Sequence, residues 1–317
     1  MGRQAELMGL RHFGLGVAVL VAALSPPVRA QVPTFGARSE LVVLSATAVD
    51  ERGRPVTDLR REDFRIFEEG APQAIVHFAV GAAAPARILL LVDASGSMNV
   101  ELKTTSTRMA ATQVLASLAP DDQAALAGFD STYWGIVAWT RDRGKIEEGL
   151  SGIKPFGSTA LHDALDRAAQ DLASHGEGRR AIVVLTDGVD TASRQTPEAV
   201  IARSRILDVP IYAVSVVSPL DDPRSRVFVG ESGKLSAVAA GSALLERYAS
   251  MSGGAAFVVS DFAGLKKAAD VIGLELRHQY RLGYAAPEGP ARFRRVEVKT
   301  VRKGVVVRTR SGYIPPS

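Results

Sequence analysis

Apolar positions run unbroken in the middle of this chain and alternate with polar ones towards its ends. Residues 88–92 (Ile-Leu-Leu-Leu-Val) and 181–185 (Ala-Ile-Val-Val-Leu) have no polar interruption, the pattern of strands buried on both faces of a parallel sheet. Further strands are predicted over 124–129 and 134–139, paired around the turn Asp130-Ser131-Thr132, and over 210–217 and 256–259. Between them lie stretches of helical period at 105–118, 145–150, 161–174, 197–206, 244–251 and 265–277. The first of these stops at Ala119-Pro120, as a helix must before a residue that lacks an N–H. Buried strands separated by helices predict an α/β fold over 86–278: a doubly wound, mostly parallel sheet with helices on both faces.

The flanks read differently. Residues 41–49 are β-rich, Asp50-Glu51-Arg52-Gly53-Arg54-Pro55 supplies a turn, and 64–67 alternates. Glu69-Gly70-Ala71-Pro72 turns again before 74–78. Three more strands are predicted at 280–284, 293–301 and 305–309. The β segments of 31–85 and 279–317 can pair into one small sheet or a sandwich, with the α/β domain inserted between them.

The first thirty residues are of another kind. Arg3 and Arg11 precede an apolar run over 13–24, then Ser25-Pro26-Pro27 and the small-residue end Val28-Arg29-Ala30. These are the parts of a secretory signal, with cleavage expected after Ala30. An uncleaved anchor is the alternative, but the run is about a dozen residues against the ~20 that span a bilayer. No later stretch of the sequence is long and apolar enough for a span. The mature protein is therefore expected to be secreted or periplasmic, with no transmembrane segment.

Composition adds exclusions. The chain has 317 residues, 46% hydrophobic and 23% charged, which is an ordinary globular profile. Its net charge of +4 is modest and gathered towards the C-terminus, so nucleic acid is not an expected partner. The absence of cysteine excludes disulfides, thiolate metal sites, a cysteine nucleophile and a lipoprotein anchor.

Three loops carry the candidate chemistry: Asp93-Ala94-Ser95-Gly96-Ser97 after the first buried strand, Gly157-Ser158-Thr159 before a helix, and Thr186-Asp187-Gly188 after the strand ending at Leu185. In an open α/β sheet, loops at the carboxyl ends of the strands converge on the ligand. Two carboxylates and three hydroxyls form an all-oxygen set suited to a hard cation, Mg²⁺ or Mn²⁺ in its place. Because hydroxyls carry no charge, such an ion keeps an attraction for an outside carboxylate.

Asp93-x-Ser95-x-Ser97 with Thr159 and Asp187 resembles the metal-ion-dependent adhesion site of von Willebrand factor A domains. That resemblance implies that Ser95, Ser97 and Thr159 contact the metal, while Asp93 and Asp187 act directly or through water. It also implies a metal-dependent binding module whose protein partner presents an Asp or Glu. Three further segments extend the likeness: Val56-Thr57-Asp58-Leu59 with Glu62-Asp63-Phe64, Leu185 to Thr191, and Arg310-Ser311-Gly312-Tyr313. Together they resemble the exported "VWFA-related" proteins of acidobacteria and similar bacteria.

Other readings have fewer residues behind them. There is no G-x-S-x-G elbow, no G-x-G-x-x-G fingerprint and no P-loop, so an enzyme is not expected. A Lewis-acid hydrolase would need a general base, and none is evident. A structural scaffold whose metal only stabilises the domain is the alternative. Asp130 and Asp190 read as solvated loop carboxylates, Asp121-Asp122 as a structural turn, and His162 as a packed or surface histidine. Arg292, Arg294, Arg295, Lys299, Arg302, Lys303, Arg308 and Arg310 read as a solvated face that also guards edge strands.

Overall fold

The computed structural model describes residues 41–81, 85–99, 101–175, 178–217 and 232–315. The expected signal, 1–30, lies outside them. In chain order, β1 (Leu41–Asp50), β2 (Phe64–Glu68), β3 (Ala71–Gln73) and β4 (Ile75–Val80) lead into β5 (Arg87–Asp93) and α1 (Glu101–Ser117). Next come β6 (Gln123–Phe129), β7 (Tyr133–Thr140), α2 (Arg143–Ser151), α3 (Leu161–Ala173), β8 (Arg180–Thr186), α4 (Pro197–Leu207) and β9 (Ile211–Val216). The chain finishes with α5 (Ser232–Ser252), β10 (Ala256–Val259), α6 (Phe262–Arg277), β11 (Tyr280–Ala285), β12 (Arg294–Thr300), β13 (Val305–Thr309) and β14 (Gly312–Tyr313).

The central sheet has the order β10-β9-β8-β5-β6-β7. All its pairings are parallel except β6 with β7, the strand pair around Asp130-Ser131-Thr132. The uninterrupted apolar run of β5 is explained by its two faces. Ile88, Leu90 and Val92 enter a core with α1, α2 and α6, whereas Leu89 and Leu91 enter a second core with α3, α4 and α5. The chain steps from β5 to β6 on one side and returns to β8 on the other. The loops after β5 and β8 therefore open at a topological switch point.

The flanking segments pair with each other. β1 lies antiparallel between β11 and β13, and β4 joins at β11. A second antiparallel sheet runs β14-β12-β2-β3. Inward residues of both sheets, among them Val42, Leu44, Phe64, Ile66, Tyr280, Leu282, Val296 and Val298, share one core. Alternation with period two is what places them on one face.

The tail departs from its reading as a wholly solvated basic face. Arg294 is buried on Glu68 at 2.9 Å, and that carboxylate also accepts the hydroxyls of Tyr284 and Tyr313. Arg308 pairs with the buried Glu275 of α6. Arg310 donates to the carbonyls of Val43 and Arg205 and lies 3.4 Å from Asp208. Each arginine meets a carboxylate, wholly buried at Glu68 and Glu275 and half-buried at Asp208, which is the condition under which a buried charge persists.

Besides the short strand β14, which no predicted run covers, three elements differ most from expectation. α5 is much longer than the predicted 244–251, because Ala239, Ala240, Gly241, Ser242 and Ala243 carry little periodic signal. α1 starts earlier than 105, drawn back towards the preceding loop by the Thr104 hydroxyl, which donates to the Met98 carbonyl at 2.9 Å. Ala71 and Pro72, read as turn, belong to the edge strand β3, where proline needs no ladder donor. Among the described residues, no helix is long and apolar enough to cross a membrane.

Candidate metal centre

Loop 1 is shaped by Asp93, the last residue of β5. Its Oδ1 accepts the Ser95 N–H at 2.9 Å and its Oδ2 accepts the Thr186 hydroxyl at 2.5 Å. The first bond turns the loop, and the second ties it to the end of β8. Ser95 is fully buried, while Ser97 is exposed at the mouth, and their hydroxyl oxygens lie 3.1 Å apart.

Loop 2 is laid against loop 1 by backbone bonds. The Gly96 N–H donates to the Gly157 carbonyl at 2.8 Å, and the Phe156 N–H to the Ala94 carbonyl at 2.7 Å. A side chain at Gly96 would crowd that approach, since its Cβ would sit 3.1 Å from the Gly157 oxygen. Loop 3 is tied to loop 2 in turn: the Thr191 N–H donates to the Thr159 carbonyl at 2.8 Å, and the Thr191 hydroxyl accepts the Thr159 N–H at 2.9 Å.

Loop 3 also caps α3. Ala160 offers no side-chain cap, and the free His162 and Asp163 N–H groups donate instead to the Ser193 hydroxyl at 2.9 and 3.2 Å. Ser193 in turn donates to Asp190 at 2.5 Å. Asp163 returns the favour, accepting the N–H groups of Arg194 and Gln195. Orphan donors of a helix start need such acceptors, so the residues after Asp187 are held by the helix that follows Thr159.

All five candidate residues thus lie in three mutually bonded loops. Asp93, Ser95, Thr159 and Asp187 are buried and Ser97 is open to solvent. Burial pushes the Asp93 carboxyl up to about 6, against the bonds from Ser95 and Thr186, with the negative Asp187 adding to the rise. Two carboxylates held together out of water call for a cation. One is present: the Lys103 ammonium of α1 donates to Asp187 Oδ2 at 2.9 Å. Among the described residues there is no group of three or more His, Cys, Asp or Glu side chains that could hold a metal. A metal here would therefore depend on the hydroxyls as well as the two carboxylates, and this donor set fits a hard divalent ion.

The remaining candidates are placed outside that set. Asp190 is engaged by Ser193 and lies 3.6 Å from His162 Nδ1, rather than standing free in solvent. His162 is buried, its Nδ1 2.8 Å from the Tyr248 hydroxyl, and burial holds its pKa below the ordinary value. Asp130 closes its own turn through the Thr132 N–H, and Asp122 accepts the N–H groups of Ala86 and Ala119 and pairs with Arg179. Sequence reasoning passed over Lys103, Thr186 and Ser193. Thr186 stands beside a candidate ligand in the sequence, but its bond to Asp93 spans 93 residues and depends on the fold. The contacts that give Lys103 and Ser193 their roles depend on the fold: Asp187 is 84 residues from the lysine and the Asp163 N–H 30 from the serine.

Residues 88–189 match the family model of the von Willebrand factor type A domain. The chain carries a von Willebrand factor type A domain. The match starts in β5 and ends just after Asp187, so it includes all three loops. Among solved structures, a von Willebrand factor type A protein from Catenulispora acidiphila is 12% identical, with 86% of this chain and 73% of that one covered at a TM-score of 0.50. An aerotolerance-related membrane protein from Bacteroides fragilis is 18% identical over 60% of this chain and 98% of that one, at 0.48. Proximal thread matrix protein 1 from the mussel byssus, in a form whose MIDAS motif is occupied by zinc, is 21% identical over 67% and 50%, also at 0.48. At such identities the likeness is one of fold. No curated protein matches the chain.

Proposed function

We propose that the chain is an exported, non-enzymatic binding module that grips a protein partner through a divalent cation. In this reading Ser95, Ser97 and Thr159 hold Mg²⁺ or Mn²⁺, and Asp93 and Asp187 supply the negative charge directly or through water. The bound ion would supply a Lewis-acidic position for an Asp or Glu of the partner. The observation that carries the reading is the convergence of two buried carboxylates and three hydroxyls in loops bonded to one another, with one hydroxyl open to solvent. Export rests on the N-terminal signal pattern.

The same loop bonds weigh against the scaffold alternative. They join the three loops through the protein's own groups, so the loops need no metal to be brought together. A hydrolytic role fares no better. His162 has its Nδ1 engaged by Tyr248 and is buried in packing, so it is not poised as a general base.

The test is capture from an exported fraction by the immobilised chain, in Mg²⁺ and in EDTA, beside an Asp187→Ala chain. A partner retained only by the original chain in Mg²⁺ is the expected outcome. Equal capture in EDTA and by Asp187→Ala would contradict the proposal and favour the scaffold.

A further inference from the structure

Lys103 occupies a position that helix electrostatics disfavours. It lies in the first turn of α1, where the exposed N–H groups already make the helix end positive. It nevertheless reaches Asp187 Oδ2 at 2.9 Å, with its side chain only 11% exposed and that of Asp187 4%. Solvent screening that makes surface pairs weak is largely absent at such burial. Asp187 divides its oxygens: Oδ1 accepts the Val189 N–H at 3.3 Å, and Oδ2 receives the ammonium.

We propose that Lys103 is a tethered counter-ion that competes with the divalent cation for Asp187 and sets the affinity of the metal centre. This inference rests on the metal-binding reading of the three loops. An ammonium at hydrogen-bond distance from Oδ2 and a divalent ion relying on the same carboxylate repel each other at close range. Uptake of the ion therefore requires Lys103 to let go. Its flexible four-carbon stem allows this without moving α1, whose first turn stays tied to loop 1 through Thr104 and Met98. The apparent affinity is then the intrinsic one scaled by the fraction of molecules in which Lys103 is released. Between uptakes, the lysine keeps Asp187 from being buried without a counter-charge.

Two measurements on the full chain test this. In Mn²⁺ titrations by calorimetry, Lys103→Met removes the charge and keeps the stem, and it should tighten binding about tenfold if the lysine is engaged in about nine-tenths of molecules. Lys103→Arg, which keeps the charge, should bind close to the original chain. Separately, unfolding in EDTA of Lys103→Met, Asp187→Asn and the double variant should be non-additive, because each single change strands the other group. Equal or weaker Mn²⁺ binding by Lys103→Met overturns the proposal, as does strict additivity in EDTA. If no chain takes up Mn²⁺ while the EDTA coupling persists, the metal-binding reading itself has failed and the competition falls with it.

Discussion

At the scale of single residues, the centre is organised by one carboxylate that faces inwards. Asp93 has both oxygens committed, to the Ser95 N–H and the Thr186 hydroxyl, and is almost wholly out of water. Its pKa rises from an ordinary 3.8 to about 6, burial being the main cause. A carboxyl that binds its proton more tightly when folded makes the fold more stable wherever that proton is on. With metal chelated, the folded chain therefore loses stability as pH rises from about 4 to about 6, by on the order of 3 kcal/mol. Asp93→Asn, neutral throughout, should lack this fall. Urea unfolding in EDTA across that range measures it, and parallel curves for the two chains would contradict the account. The role of Thr186 in holding Asp93 was not legible from the sequence, because the hydroxyl that matters is 93 residues away.

At the scale of elements, helix α3 and the loop after β8 hold each other. α3 begins without a side-chain cap of its own, and Ser193 supplies the acceptor for its first N–H groups from 30 residues downstream. Ser193→Ala should cost about 1–2 kcal/mol in urea unfolding, the usual worth of a lost N-cap. It should also weaken Mn²⁺ uptake, since Thr159 precedes that helix. Unchanged stability would show that the cap is dispensable. Most elements were legible because their burial patterns are strong: β5 and β8 read as continuous apolar runs, and α3 as a helical stripe of Leu161, Leu165, Ala168 and Leu172. The start of α5 was not, because Gly241 is small for a reason of packing. A Cβ there would lie 2.9 Å from the Gly188 backbone, so the helix rests directly on loop 3.

At the scale of the whole molecule, two β segments far apart in sequence build one core, and buried polar contacts join it to the α/β sheet. Arg308 with Glu275 of α6, and Arg310 with Arg205 of α4 and Asp208 just after it, run between them. The pairing of the flanks could be anticipated from their alternation. Which arginines turn inwards could not, because inward and solvated arginines look alike until their carboxylate partners are placed by the fold. The meeting of loops 1 and 3 could be expected from their places after two buried strands, whereas loop 2 lies between α2 and α3 and could be expected only to reach the same edge. That convergence on a single cation is the central claim. Its most direct test is paramagnetic line broadening of backbone amides by substoichiometric Mn²⁺. The account predicts that Ser95, Gly96 and Ser97, Thr159, and Asp187 and Gly188 broaden together, while Val42 and Val298 in the β core stay sharp. Broadening confined to one loop, or centred elsewhere on the surface, would contradict it.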